Sequence, residues 1–221
     1  GVDYRELDAP ALKPLTGRGV FYGAAVTEAP AMAGRDVYVI GGGNSAGQAA
    51  LHLAKFARQV TLLVRGAGLA ASMSDYLVEQ IRATPKVDIL HRVAVVGGGI
   101  LDDCLDSIEV EHLDSGEREI LPARGLFVLI GSDPRTDWLE DVQRDEAGFL
   151  LTGHDVDIAD RSPDAPPPLP LETSMPGVFA IGDTRRGSVK RVATAVGDGA
   201  GVVQQIHRYL ASVAERRSAE G

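Results

Sequence analysis

DVYVIGGGNSAGQAALHLAKFA, residues Asp36 to Ala57, is the stretch whose reading decides the fold. Val37 to Ile40 is a short β-branched and aromatic run that stops at Gly41-Gly42-Gly43, and from Ser45 onward the chain is rich in alanine and leucine. The pattern predicts a strand, a tight turn and a helix. In such a corner Gly41 permits the sharp reversal, Gly43 lets backbone amides approach a pyrophosphate, and Ala46 leaves room for the helix to pack close to the strand. Gly42, Asn44 and Ser45 complete the turn and the helix start, where amides without partners and the helix dipole favour an anion.

A glycine-rich turn alone is common, so the segment after the helix decides its meaning. Gln59 to Val64 is a second apolar strand, at about the 20-residue spacing that a dinucleotide-binding unit requires, and Arg65 closes it. A carboxylate at that place would accept the ribose 2′-hydroxyl of NAD, whereas an arginine suits the additional 2′-phosphate of NADP. Next comes a helix over Ser72 to Ala83, with Met73, Leu77 and Ile81 at helical spacing. Ser72 and Ser74 stand where a helix start can cap itself or add to a phosphate site, and capping is the expected use of at least one.

Composition narrows the class. At 221 residues, 44% hydrophobic with 26 glycines, the chain reads as a turn-rich α/β protein with one good core or two small ones. A net charge of -9 argues against a nucleic-acid surface or an anionic membrane as partner. Cys104 is the only cysteine, which rules out an internal disulfide and fits a reducing, cytoplasmic setting. Asp102, Asp103 and Asp106 surround it, so it is expected to stay a thiol with no redox role. The five histidines have no metal-ligand spacing, and no metal is expected.

Along the chain, Gly1 to Gly19 reads as a connector, Val20 to Tyr22 as a short strand and Thr27 to Ala33 as a short helix. Val87 to Leu90 supplies a parallel strand. Leu105 to His112 and Glu117 to Leu121 form a hairpin through Asp114-Ser115-Gly116, and Leu126 to Ile130 returns to the sheet before Gly131. Beyond it lie a proline-rich surface loop over Arg161 to Pro170, a strand over Val178 to Ile181 ending in Gly182-Asp183, and a cationic segment with Arg185, Arg186, Lys190 and Arg191. A long helix over Val192 to Val213 comes next, its apolar face made by Val192, Val196, Val203, Ile206 and Leu210. Gly197, Gly199 and Gly201 each cost roughly 1 kcal/mol against alanine in a helix, which suggests a very close neighbour there.

Taken together, these motifs resemble the pyridine nucleotide-disulfide oxidoreductases of the low-molecular-weight thioredoxin reductase type over nearly the whole chain. GVDYRELDAP (Gly1 to Pro10) is similar to the segment leaving the flavin domain, GGGNSA (Gly41 to Ala46) to the NADPH fingerprint, and FVLIGSDPRT (Phe127 to Thr136) to the strand returning to the flavin domain. TSMPGVFAIGD (Thr173 to Asp183) is similar to the second flavin motif, and KRVATAVGDGA (Lys190 to Ala200) to the helix facing the isoalloxazine ring. The resemblance implies a Rossmann-like, three-layer β/β/α NAD(P)-binding domain over residues 1–130 and the C-terminal part of a homologous FAD-binding domain over residues 131–221. It implies FAD and NADPH as cofactors and an oxidoreductase passing hydride from one to the other. Gly131, Gly182, Asp183, Lys190 and the amides of Arg191, Val192 and Ala193 would serve the flavin, Asp183 by accepting a hydrogen bond from the ribityl chain.

Two departures shape the expectations. Gly23 and Val26 stand where that family has the thiols of its Cys-x-x-Cys, with Thr27 or Glu28 in the region of its acid, so disulfide reduction by the usual relay is not expected. This resembles the dithiol-less branch, which implies an unknown electron acceptor, a homodimer and a fused cyclic-nucleotide-binding domain in a longer polypeptide. A ferredoxin or flavodoxin reductase-type enzyme and a non-redox NADP(H) sensor or scaffold are the competing readings. The family's first flavin-binding half has no counterpart before Gly1, so the chain reads as a fragment with apolar edges left uncovered.

Overall fold

The computed structural model describes residues 1–23, 27–159 and 166–219. In chain order the elements are β1 (Val2–Tyr4), β2 (Val20–Tyr22), β3 (Asp36–Ile40), α1 (Asn44–Leu53), β4 (Gln59–Val64), α2 (Asp75–Arg82), β5 (Val87–His91), β6 (Val93–Leu101), β7 (Cys104–His112), β8 (Arg118–Pro122), β9 (Gly125–Val128), β10 (Ser132–Pro134) and α3 (Val192–Ala219). They fall into two units, Tyr4–Gly131 and Gly1–Asp3 with Ser132–Gly221.

In the first unit a five-stranded parallel sheet runs in the order β2-β9-β3-β4-β5. β3 lies near its middle and is apolar at four successive positions because both sheet faces are covered. The period of two divides those side chains. Val37 and Val39 join Val60, Leu62 and Phe127 under the helices, packed against Ala46, Ala50 and Leu53 of α1 and Leu77 and Ile81 of α2. Tyr38 and Ile40 face the other way, with Leu63, Leu126 and Val128, onto the antiparallel sheet β6-β7-β8 through Val95, Ile108 and Val110. The result is the expected three-layer β/β/α sandwich.

The antiparallel layer has one strand more than the hairpin expected from sequence. β6 pairs along β7, with register shifts between Val95 and Gly97 and between Gly99 and Ile100. Its three successive glycines remove the alternation that marks a strand, and they accommodate the irregular register. In place of the helix expected over Thr27 to Ala33 there is a single 3₁₀ turn, Ala29–Met32, with Pro30 in its first turn.

The second unit is mostly irregular. β1 pairs with β10, and Gly1–Asp3 group with this unit. Val178 to Ile181 is not a ladder strand. Only the bridge Glu172↔Phe179 forms, flanked by Thr173 N–H to Val178 O (2.8 Å) and Ala180 N–H to Leu171 O (2.9 Å). Of the proline-rich stretch, residues 161–165 lie outside the described residues, and Pro166–Pro170 contains no helix or strand.

α3 begins at Val192 as expected and runs past Val213. The five side chains expected to make its apolar face are exposed, Val192 at 83% and Val196 at 67%. Val202, on another side of the helix, is the buried one.

Phe127 is fully buried and stacks on Phe21 with ring centroids 5.1 Å apart. Phe127→Ala is expected to lower unfolding free energy by about 3–5 kcal/mol in urea denaturation. Ile120→Ala, on a side chain 72% exposed, should change it by no more than about 0.5 kcal/mol.

Candidate functional site

At the end of β3 the chain turns with no room for a side chain. Gly41 has φ +144°, and a Cβ there would stand 2.4 Å from the Leu129 carbonyl oxygen and 3.0 Å from Cβ of Ala46. Its N–H donates to Leu63 O (3.2 Å), while Leu129 N–H donates to Ile40 O (2.8 Å), so strands on both sides hold the corner. α1 then starts at Asn44 with Gly43 in the cap position, and no side chain caps its first amides. Ala46 is buried, whereas Asn44 and Ser45 are exposed at the mouth.

Arg65 immediately follows β4 and is exposed. Its neighbour Val64 lies against the turn, since a Cβ on Gly42 would be 3.4 Å from Val64 Cγ1. A helix start with uncapped amides and a guanidinium on the adjacent strand end together favour an anion.

The loop after Arg65 is tied to this corner. Asn44 Oδ1 accepts from Ser74 N–H (2.8 Å) and Ser74 Oγ (2.9 Å), and Ser72 Oγ donates to Gly42 O (2.9 Å). Neither serine side chain caps α2, contrary to the sequence expectation: Ser74 occupies the cap position but turns its hydroxyl to Asn44, and Ser72 lies two residues before it. Gly131, with φ +101°, follows β9 and accepts Arg5 N–H at 3.1 Å. The buried Oε2 of Glu28 has no hydrogen-bond partner among the described residues, which do not include residues 24–26. Val26, one of the two positions matched to the thiols, thus lies outside the described residues; Gly23, the other, has φ +91°.

In the second unit Gly182 and Asp183 form a 3₁₀ turn, Gly182–Thr184. Gly182 has φ +68°, and a Cβ there would be 3.2 Å from Cβ of Ala195, so the turn sits on the first part of α3. Asp183 Oδ1 is buried without a partner among the described residues. Arg191 immediately precedes α3, and Val192 and Ala193 begin it, all three exposed. Lys190 holds its ammonium 4.4 Å over the Phe149 ring, a cation–π contact.

Arg185 does not belong to the free cationic segment expected from sequence. It pairs with Asp198 of α3, the two side chains being only 18% and 16% exposed. Asp198 was not singled out in the sequence, and the one available signal was an acid set among the helix glycines. Among the described residues no cluster of His, Cys, Asp and Glu could hold a metal ion, and no helix is long and apolar enough to cross a membrane.

The profile of the pyridine nucleotide-disulphide oxidoreductases matches residues 5–199. The chain belongs to that family. Among its members, thioredoxin reductase of Listeria innocua is 30% identical over 224 residues, covering all of this chain and 64% of that protein. An alkyl hydroperoxide reductase of Staphylococcus epidermidis is 31% identical over 95% of this chain and 38% of its own. The solved thioredoxin reductase of Streptococcus pyogenes superposes with a TM-score of 0.74 at 31% identity, over 96% of this chain and 64% of that one. The chain thus spans less than two thirds of these relatives.

At this corner, Gly41→Ala meets both a positive φ and the Leu129 carbonyl, and is expected to destabilise by roughly 1–3 kcal/mol. Gly43→Ala, at φ -92° with nothing nearer than 3.7 Å, should stay within about 0.5 kcal/mol in the same denaturant titration.

Proposed function

We propose that the protein is an NADPH-dependent flavoprotein oxidoreductase, thioredoxin reductase-like but without the dithiol, working in a reducing cytoplasm. When bound, NADPH supplies a hydride that FAD takes up. The chain's own part is to bind, orient and stabilise charge.

Gly41 to Ala46 would receive the NADPH pyrophosphate on the uncapped start of α1, with Arg65 pairing with the 2′-phosphate. Gly131, Gly182, Asp183, Lys190 and the amides of Arg191, Val192 and Ala193 would serve FAD. Asp183 fits that role because its buried Oδ1 has no donor among the described residues, and a ligand hydroxyl can supply one. The start of α3 fits negative charge through its dipole.

The observation that carries the reading is Arg65, immediately beyond β4, whose last residue Val64 lies against the glycine corner. Cys104, alone and exposed on β7, offers no second thiol for a dithiol relay, so electrons would pass from the flavin to an acceptor other than a thioredoxin-type disulfide. The same lack of a dithiol favours a second reading, an NADP(H) sensor without turnover.

Protein isolated from its native source should be yellow, bleach on adding NADPH, and reduce ferricyanide. A colourless protein that takes up no FAD would end the enzyme reading, and NADPH binding without bleaching or ferricyanide reduction would favour the sensor. Arg65→Ala should weaken NADPH by about 1.5–3 kcal/mol, roughly tenfold to a hundredfold in Kd, with NADH binding unchanged. Equal losses for both nucleotides would contradict the role of Arg65.

A further inference from the structure

We propose that Asp198, held by Arg185, is a positioning residue that sets the Gly182–Asp183 turn for its ligand. This rests on the flavin reading of that turn. An acid among glycines near the start of a helix would ordinarily point to water. Here the side chain is 16% exposed and its Oδ2 gathers three donors: Gly182 N–H at 3.0 Å, Arg185 Nη2 at 3.2 Å and Arg185 Nε at 3.3 Å. Arg185 Nη1 reaches on to Oγ1 of buried Thr152 at 3.1 Å.

The turn is bracketed from its other side as well. Leu150 N–H donates to Thr184 O and Arg186 N–H to Leu150 O, both at 2.9 Å. The Asp198–Arg185 pair therefore joins α3 and the turn to Thr152.

The anchored amide is that of the residue just before Asp183. Gly182 takes φ +68°, a conformation open to many alternatives in a free glycine. Fixing its N–H on Asp198 limits how the chain leaves it, and so where Asp183 aims its unpartnered, buried Oδ1. Asp198 itself need not touch the ligand. Its charge is balanced by Arg185, and removing one partner leaves the other buried and uncompensated. Asn at 198 keeps an acceptor for Gly182 N–H while weakening the hold on Arg185.

The test measures FAD affinity, by flavin fluorescence, in the native polypeptide and in Asp183→Ala, Asp198→Asn, Asp198→Ala and the double variants. Alongside it, hydrogen exchange at the Gly182 amide is followed without any nucleotide. Asp198→Ala is expected to weaken FAD roughly tenfold or more and Asp198→Asn less. Asp183→Ala should add little once Asp198 is gone, NADPH affinity should be unchanged, and Gly182 exchange should accelerate roughly tenfold.

FAD affinity unchanged in Asp198→Ala, or losses at 183 and 198 that simply multiply, would overturn the proposal. Should Asp198→Ala fail to fold, Asp198→Asn combined with Asp183→Ala decides by the same coupling. If the unaltered protein takes up no FAD, the flavin reading falls, while slow Gly182 exchange that accelerates in Asp198→Asn would still uphold the clamp and unchanged exchange would refute it.

Discussion

A single close approach governs the first unit: Gly41 passes so near the Leu129 carbonyl oxygen that a Cβ would stand 2.4 Å from it. β3 and β9 are neighbours in the sheet, and the chain leaving β3 must turn over the end of β9 to start α1. Only a residue without a side chain, free to adopt φ +144°, can do so. Once the turn is made, Ala46 and Ala50 bring α1 down onto the sheet, the amides at the helix start remain open, and the end of β4 lies alongside through Val64. Core packing and the open helix start thus share one geometric cause.

Most of this layer is legible in the order of residues alone. Four apolar residues ending in glycines, then alanines at helical spacing, state strand, corner and helix; the parallel register that brings Leu63 beside Ile40 comes from the second apolar run. The parts that stay hidden do so for physical reasons. β6 carries Gly97, Gly98 and Gly99, which erase the alternation by which strands are recognised, so only its pairing along β7 reveals it. Ser72 and Ser74 look like caps because the residue type suits capping, and nothing local shows that Ser74 turns instead to Asn44, thirty residues away, and Ser72 to the Gly42 carbonyl. Periodicity marks an apolar face on α3 but not whether anything covers it, and the exposed Val192 and Val196 show the difference.

The second unit depends on charge where the first depends on shape. With little regular structure beyond α3 and a core of a few side chains such as Val142, Leu150 and Ala180, it is organised by buried polar contacts. Glu172 is buried and accepts Leu169 N–H and Gly177 N–H on separate oxygens, both at 2.9 Å. The Arg185–Asp198 pair does the same for the Gly182 turn. The Asp198 contacts reach 13 and 16 residues along the chain, so the four cations from Arg185 to Arg191 look alike in sequence until the structure gives one to an acid and another to the Phe149 ring.

The central proposal is that the glycine corner and Arg65 together receive an adenosine phosphorylated at both its 2′ and 5′ positions. Backbone amide NMR shifts during titration with 2′,5′-ADP, beside ADP as control, test it most directly. The account predicts saturable shifts at Gly41 to Ser45 and at Arg65 with 2′,5′-ADP, and with ADP weaker ones that leave Arg65 unmoved. Shifts absent from the corner, or identical for the two nucleotides at Arg65, would contradict it.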